Sequence, residues 1–362
     1  MNARQRSPSE LRNAIASAWM KRGIALLTEN SAASLSASLP WFERAIELRR
    51  SLPLRENAWY RYVLAAGWMN RGDALTRLGS AQNLAEAVRS YDQALALLQT
   101  LELESNPLFR KRLALAWMNR GISSQEQETP ASFRAALASF DEAIAVLRDA
   151  PALEETEYRS VLACGLTNRG NALLRITPAA STLARESVEE ALGLIAGVER
   201  QELLAAETGL KARHILCRAI AAQIAGRTAA MALGDLVAAA TDAADDGMKL
   251  ARHWEARGER RFRDLAAELF RFGVRAYQMH QSQFLAEFIL EHLDPSQSHD
   301  AFHIDPKMHA AAGEAIACAF AGIQRDAFRS LNTPYFGRLL ETLRQLRTTQ
   351  TRLGELRRGV SA

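Results

Sequence analysis

Apolar residues recur along this chain with the spacing of helices. Between Glu56 and Leu78, Tyr60, Leu64, Trp68 and Leu75 fall near helical intervals. After Gly79-Ser80, Leu84, Val88, Tyr91, Leu95 and Leu98 make a second apolar stripe, predicting a helix over about 84–101. Ser105-Asn106-Pro107 closes this two-helix block, and Pro53, Pro107 and Pro151 stand at corresponding boundaries, where proline interrupts no helix. The alternation of β-branched residues that marks strands is absent. An all-α fold follows.

The block repeats every 49 residues. Trp19, Trp68, Trp117 and Leu166 keep that step, as do Arg22, Arg71, Arg120 and Arg169, and Gly23, Gly72, Gly121 and Gly170. Seven residues before the Trp or Leu stand Arg12, Arg61, Arg110 and Arg159, preceded by Leu11, Tyr60, Phe109 and Tyr158. Downstream, Phe42, Tyr91 and Phe140 hold the register, with Ala45, Ala94 and Ala143. The fourth block slips by about one residue, to Val188 and Ala191. Helices of roughly 20 residues are about 30 Å long, and one such pair cannot bury both its faces, so neighbouring pairs must stack.

AWMNRGDALTRLG followed by LAEAVRSYDQALALL resembles the tetratricopeptide repeat. Trp68, Gly72 and Ala74 occupy that family's first-helix signature positions, and Ala87, Tyr91 and Ala94 those of the second. The resemblance covers about residues 11–200 and implies a right-handed α-α superhelix of antiparallel pairs. This repeat exceeds the family's usual 34 residues, and the extra length is expected in the mid-unit turn and at the outer helix ends.

Four such pairs are expected over 1–204. Residues 205–362 read as degenerate helical repeats and capping helices: Ile215-Leu216-Cys217-Arg218-Ala219 is still in register, and further helices are predicted near 229–257, 259–280, 282–293, 306–329 and 334–358.

The formal net charge is +4. Pro334 to Ala362 contains six arginines and two glutamates, so the whole excess lies there. The balanced remainder argues against a general nucleic-acid binder. Cys164, Cys217 and Cys318 form neither a disulfide framework nor a zinc spacing and read as buried thiols of a reducing, cytoplasmic protein. No signal-peptide core or membrane-length apolar run appears.

Each ladder arginine has an acid about 21 residues later (Glu43, Asp92, Asp141, then Glu189 or Glu190), which predicts an ion pair within each unit, Arg71 with Asp92 and Arg120 with Asp141. The preceding residues are Lys21, Asn70, Asn119 and Asn168. In tetratricopeptide domains that position faces the concave groove, and some members hold a partner's terminal carboxylate with Asn and Lys or Arg there. One turn earlier, where that clamp wants Lys, this chain has Ser17, Ala66, Leu115 and Cys164, so a complete clamp is not expected. An amide ladder against an extended peptide backbone is, because an amide both donates and accepts. Asp73 and Asn171 stand three residues on and widen the row, with Lys21 at its beginning. Met20, Met69 and Met118 read as core or as an adaptable binding surface.

His292, His299, His303 and His309 share a loop-like stretch with Asp294, Asp300 and Asp305, but the spacing fits no recognised zinc motif. Leu339, Leu340, Leu343, Leu346, Leu353 and Leu356 give 334–358 an amphipathic pattern suited to capping, with membrane-surface contact or self-association as alternatives. No phosphate loop, nucleophile elbow or metalloprotease helix is present. The expectation is a non-enzymatic adaptor without cofactors that binds a protein or peptide. The alternatives are a self-assembling structural protein, or a regulatory protein whose C-terminal helical region carries a separate activity.

Overall fold

The computed structural model describes residues 7–148, 155–226 and 233–280. Among them all regular structure is helical: α1 (Pro8–Glu29), α2 (Ala32–Arg50), α3 (Ala58–Leu78), α4 (Ala81–Leu98), α5 (Pro107–Gln125), α6 (Pro130–Arg148), α7 (Thr156–Ile176), α8 (Ser181–Ile195), α9 (Leu203–Gly226), α10 (Leu233–Glu255) and α11 (Arg263–His280). The helices predicted at 282–293, 306–329 and 334–358, the His/Asp-rich stretch, Pro151 and Cys318 lie outside the described residues.

Two compact units form, Met1–Ile176 and Thr177–Ala362. The division drawn at residue 204 marks where the sequence register lapses, a separate criterion. In the first unit α1 packs on α2, α3 on α4 and α5 on α6, and each pair packs on the next first helix, through α7. In the second unit α9 packs on α8, α10 and α11, and α10 on α11.

The helix ends have local causes that recur with the repeat. Asn30, Gly79 and Glu128 all have left-handed backbone, with φ of 53°, 70° and 52°. The next residue caps the second helix: Ser31, Ser80 and Thr129 accept hydrogen bonds from the backbone N–H of Ser34, Asn83 and Ser132. One left-handed residue to end a helix and one hydroxyl to start the next is enough to reverse the chain. The mid-unit turn is therefore two residues at Asn30-Ser31 and at Gly79-Ser80, and the expected turn insertion is absent there. The extra length lies in the helices, of 21 and 18 residues in α3 and α4, and in the links between pairs.

Within a pair the helices meet backbone against ring. A Cβ added at Gly23, Gly72 or Gly121 would come within 2.4, 2.7 and 2.5 Å of the rings of Phe42, Tyr91 and Phe140. Only glycine leaves room for the aromatic at this crossing, and all three rings are fully buried. Met20, Met69 and Met118 are buried core residues, not a binding surface. Trp19, Trp68 and Trp117 are half-buried at the cluster edges.

The arginine ladder departs from its predicted pairing. Arg71 Nε donates to Glu43 at 3.2 Å, Arg120 Nε to Asp92 at 2.7 Å and Arg169 Nε to Asp141 at 2.7 Å. These acids lie 28 residues before the arginine, in the preceding pair. In the arginine's own second helix a serine accepts, Ser90 from Arg71 and Ser139 from Arg120, both at 2.8 Å, and Arg71 also donates to Glu86 of α4 at 3.0 Å. The structural reading of these arginines holds, but Arg71 and Arg120 each join three helices at the junction between pairs, and the predicted Arg71–Asp92 and Arg120–Asp141 pairs do not form. The pairs are partly exposed, with Arg120 at 23% and Asp92 at 46%, so each is worth only about 0.2–1 kcal/mol. A double-mutant cycle by denaturant unfolding is expected to give measurable coupling between Arg120 and Asp92 and none between Arg120 and Asp141. The reverse result would mean the clamp has been assigned to the wrong junction.

Candidate functional site

Two faces of the first unit are open to a partner. Alongside the junction contacts, α1 touches α3, α3 touches α5 and α5 touches α7 directly, so the first helices form a continuous inner layer. Between α2 and α4 a groove of about 490 Å³ opens over Trp68 and Arg71.

The inner layer carries the predicted residues. Asn70, Asn119 and Asn168 occupy equivalent turns of α3, α5 and α7, and all three are half-buried rather than enclosed between helices. The side-chain amides of Asn70 and Asn119 have no hydrogen-bond partner among the described residues. Asn168 Nδ2 lies 3.7 Å from Cys164 Sγ, one turn earlier. Lys21 is exposed on α1 with no ion pair among the described residues, and Asn171 is half-buried and already partnered. Asp73 is committed elsewhere: Arg77 donates to both its carboxylate oxygens at 2.9 Å and also reaches Asn30.

Apolar surface is exposed near the starts of α3 and α5, eleven residues before the amides, about 16 Å along the helix. Trp59 is 45% exposed and Leu108 48%, at equivalent positions of α3 and α5. Trp59 stacks on Tyr62 at 4.9 Å, which fixes its ring. Arg112 lies over the other part of the same platform, 4.8 Å from the Tyr62 ring, and donates to its hydroxyl. Asn57 and Asn106 set where these side chains emerge, capping α3 and α5 through the N–H of Trp59 and Leu108. The amides stand out in the sequence, whereas Trp59 and Leu108 were missed there. Their 49-residue spacing and their position just after a capping asparagine were the available signal.

The groove between α2 and α4 was not anticipated. Arg50 covers Trp68 at 5.0 Å, and Arg71 is held by Glu43, Ser90 and Glu86. The Arg71 hydrogen bond keeps the Glu86 carboxyl below its ordinary pKa. Arg71 is already neutralised by its neighbours and offers little to an anion.

Among the described residues no cluster of His, Cys, Asp and Glu could hold a metal ion, and no described helix is long and apolar enough to cross a membrane. Cys217 is buried and its thiol is pushed up to about 12 by burial, so it is inert as a nucleophile. Cys164 is half-buried on the inner layer.

No protein-family model matches the chain, and no curated protein matches it. Among solved structures it is similar to the crystal structure of c5321, a protective antigen present in uropathogenic Escherichia coli strains displaying an SLR fold. The identity is 12% over 97% of this chain and 98% of that one, with a TM-score of 0.14, too poor a superposition to carry fold or function across.

Proposed function

We propose that this chain is a non-catalytic, tetratricopeptide-like scaffold that holds an extended segment of another protein along the inner layer of α1, α3, α5 and α7. The observation that carries this reading is the pair of half-buried, unpartnered amides at Asn70 and Asn119, on equivalent turns of two helices whose starts expose Trp59 and Leu108. An extended backbone offers alternating N–H and C=O groups, and a carboxamide answers both. Asn168 continues the row, Lys21 begins it, and Asp73 and Asn171 border it. The aromatic and aliphatic surface would take apolar side chains of the same segment, as interface anchors commonly do. No cofactor is needed for such a role, and a cytoplasmic setting fits the thiol chemistry.

Replacing Asn70, Asn119 and Asn168 together by Ala tests this. Each amide lost costs about 0.5 kcal/mol or more of net hydrogen bonding, so partner affinity is expected to fall roughly tenfold. Partly exposed positions should leave stability within about 0.5 kcal/mol per site. Partners captured from an extract on immobilised protein, then titrated by calorimetry against both forms, give the readout. Unchanged affinity in the triple variant would rule out the inner row as the contact.

A further inference from the structure

The outward face of α1 occupies the same repeat positions as a face that α3, α5 and α7 use to receive a neighbour. In α3 that face is Tyr60, Leu64, Gly67, Arg71 and Ala74. Tyr60 and Leu64 are buried, Gly67 comes so close to α2 that a Cβ would meet Ile46 at 3.0 Å, and Ala74 is enclosed in the cluster built by α1 and α2. Arg71 completes it by binding Glu43. The pattern recurs downstream. Phe109 and Leu113 are buried in α5, Arg120 binds Asp92, Gly165 of α7 approaches Ile144, and Arg169 binds Asp141.

Shifted back by one repeat, the same positions in α1 are Leu11, Ile15, Ala18, Arg22 and Ala25. At 100° per residue they fall in one stripe about 80° wide. Here the stripe is open. Leu11 is 53% exposed and Ile15 40%, against 8% and 2% for Tyr60 and Leu64, and Ala18, Arg22 and Ala25 are also exposed. Arg22 has no ion pair among the described residues, although its three equivalents all have one. The stripe places exposed aliphatic side chains around a single cation.

What such a face receives elsewhere in the molecule is consistent. The incoming helix brings an acid followed three residues later by a large aliphatic: Glu43 and Ile46, Asp92 and Leu95, Asp141 and Ile144. We propose that the α1 stripe is a docking site for an amphipathic helix of another protein carrying Asp/Glu-x-x-Ile/Leu, its carboxylate on Arg22 and its aliphatic side chain over Ala18, between Ile15 and Ala25. Charge complementarity selects this occupant. A basic helix would meet Arg22 as a like charge, and a purely apolar one would leave the guanidinium covered without a counter-ion. The site is separate from the inner layer and does not depend on it.

The probe is a fluorescein-labelled peptide with the α4 sequence, residues 81–98, which presents Asp92 and Leu95, titrated against the full chain by anisotropy. Arg22→Glu in the protein, or Asp92→Lys in the peptide, is expected to weaken binding about tenfold. The two changes together are expected to restore it, and peptide binding should slow amide exchange over residues 11–25. Arg22 is exposed, so its replacement should leave the circular dichroism of the chain unchanged. No binding, binding indifferent to Arg22→Glu (displacement of the chain's own α4), or singles that the double change does not rescue would each overturn the proposal. So would a mass that rises with concentration and is returned to monomer by Leu11→Asp, since the occupant would then be a second copy.

Discussion

Phe140→Ala is expected to cost about 3–5 kcal/mol of unfolding free energy, the range for deleting a fully buried aromatic. The ring has no exposed surface, and its edge lies where a Cβ of Gly121 would sit, 2.5 Å away. Its packing is therefore against the α5 backbone, which cannot move inward to fill the space while the remainder of the α5–α6 contact holds. The reciprocal change, Gly121→Ala, pushes a methyl group into the ring and should cost about 1–3 kcal/mol by overpacking. Because the two changes remove and add volume at one place, Gly121→Ala should cost less in the Phe140→Leu background than in the wild type. Denaturant unfolding gives both values from the midpoint at constant m. A loss below about 1 kcal/mol for Phe140→Ala would show that this crossing does not hold the pair together.

Arg49→Leu is expected to stabilise the chain, by about 1–4 kcal/mol, the range for exchanging buried ionic groups for apolar ones of similar volume. Arg49 is 5% exposed at the junction of α1, α2 and α3, and its hydrogen-bond partners are neutral: the Val63 carbonyl at 2.7 Å, Ser17 Oγ at 3.1 Å and Asn13 Oδ1 at 3.3 Å. Burial lowers its pKa to about 10, well below the ordinary arginine value. The folded state thus holds this proton less tightly than the unfolded state does, and the associated penalty is fully present below about pH 10. It fades as pH rises from about 10 towards the ordinary arginine value, so this group's contribution to stability increases with pH in that window. One and two repeats later the same position is Leu98 and Leu147, both with no exposed surface, so the fold already accepts leucine there. The gain of Arg49→Leu over wild type should be constant below about pH 9 and shrink above it. A variant less stable than wild type at neutral pH would mean that the three neutral hydrogen bonds outweigh desolvation. Arg49→Ala would instead leave a cavity and lose both contributions.

The repeat itself was legible because its physical causes are local or periodic. Gly23, Gly72 and Gly121 recur with Phe42, Tyr91 and Phe140 because a ring can cross a helix only where no Cβ stands. Gly79-Ser80 signals a turn because one residue accepts the left-handed backbone and the next caps a helix. The α10 and α11 helices, at Leu233–Glu255 and Arg263–His280, lie inside the segments predicted from apolar spacing. The half-buried setting of Asn70 also follows from sequence: two residues along a helix is a turn of about 200°, which carries it away from Gly72 and Trp68.

The ladder partners could not be read the same way. Asp92 stands 21 residues after Arg71 and 28 before Arg120, and both intervals recur identically through the chain. Periodicity fixes the helix face on which the acid lies but not which neighbouring helix that face meets, and a long guanidinium side chain reaches in either direction. Stacking decided it, turning Asp92 forward to Arg120 and leaving a serine for the contact within the pair. The commitment of Asp73 to Arg77 has a similar origin, since a helix-surface pair forms only where no nearer partner competes. The openness of the α1 stripe is a purely tertiary fact. Leu11 and Ile15 stand in the same repeat positions as Tyr60 and Leu64, and only the helix lying against each face makes one pair core and leaves the other exposed.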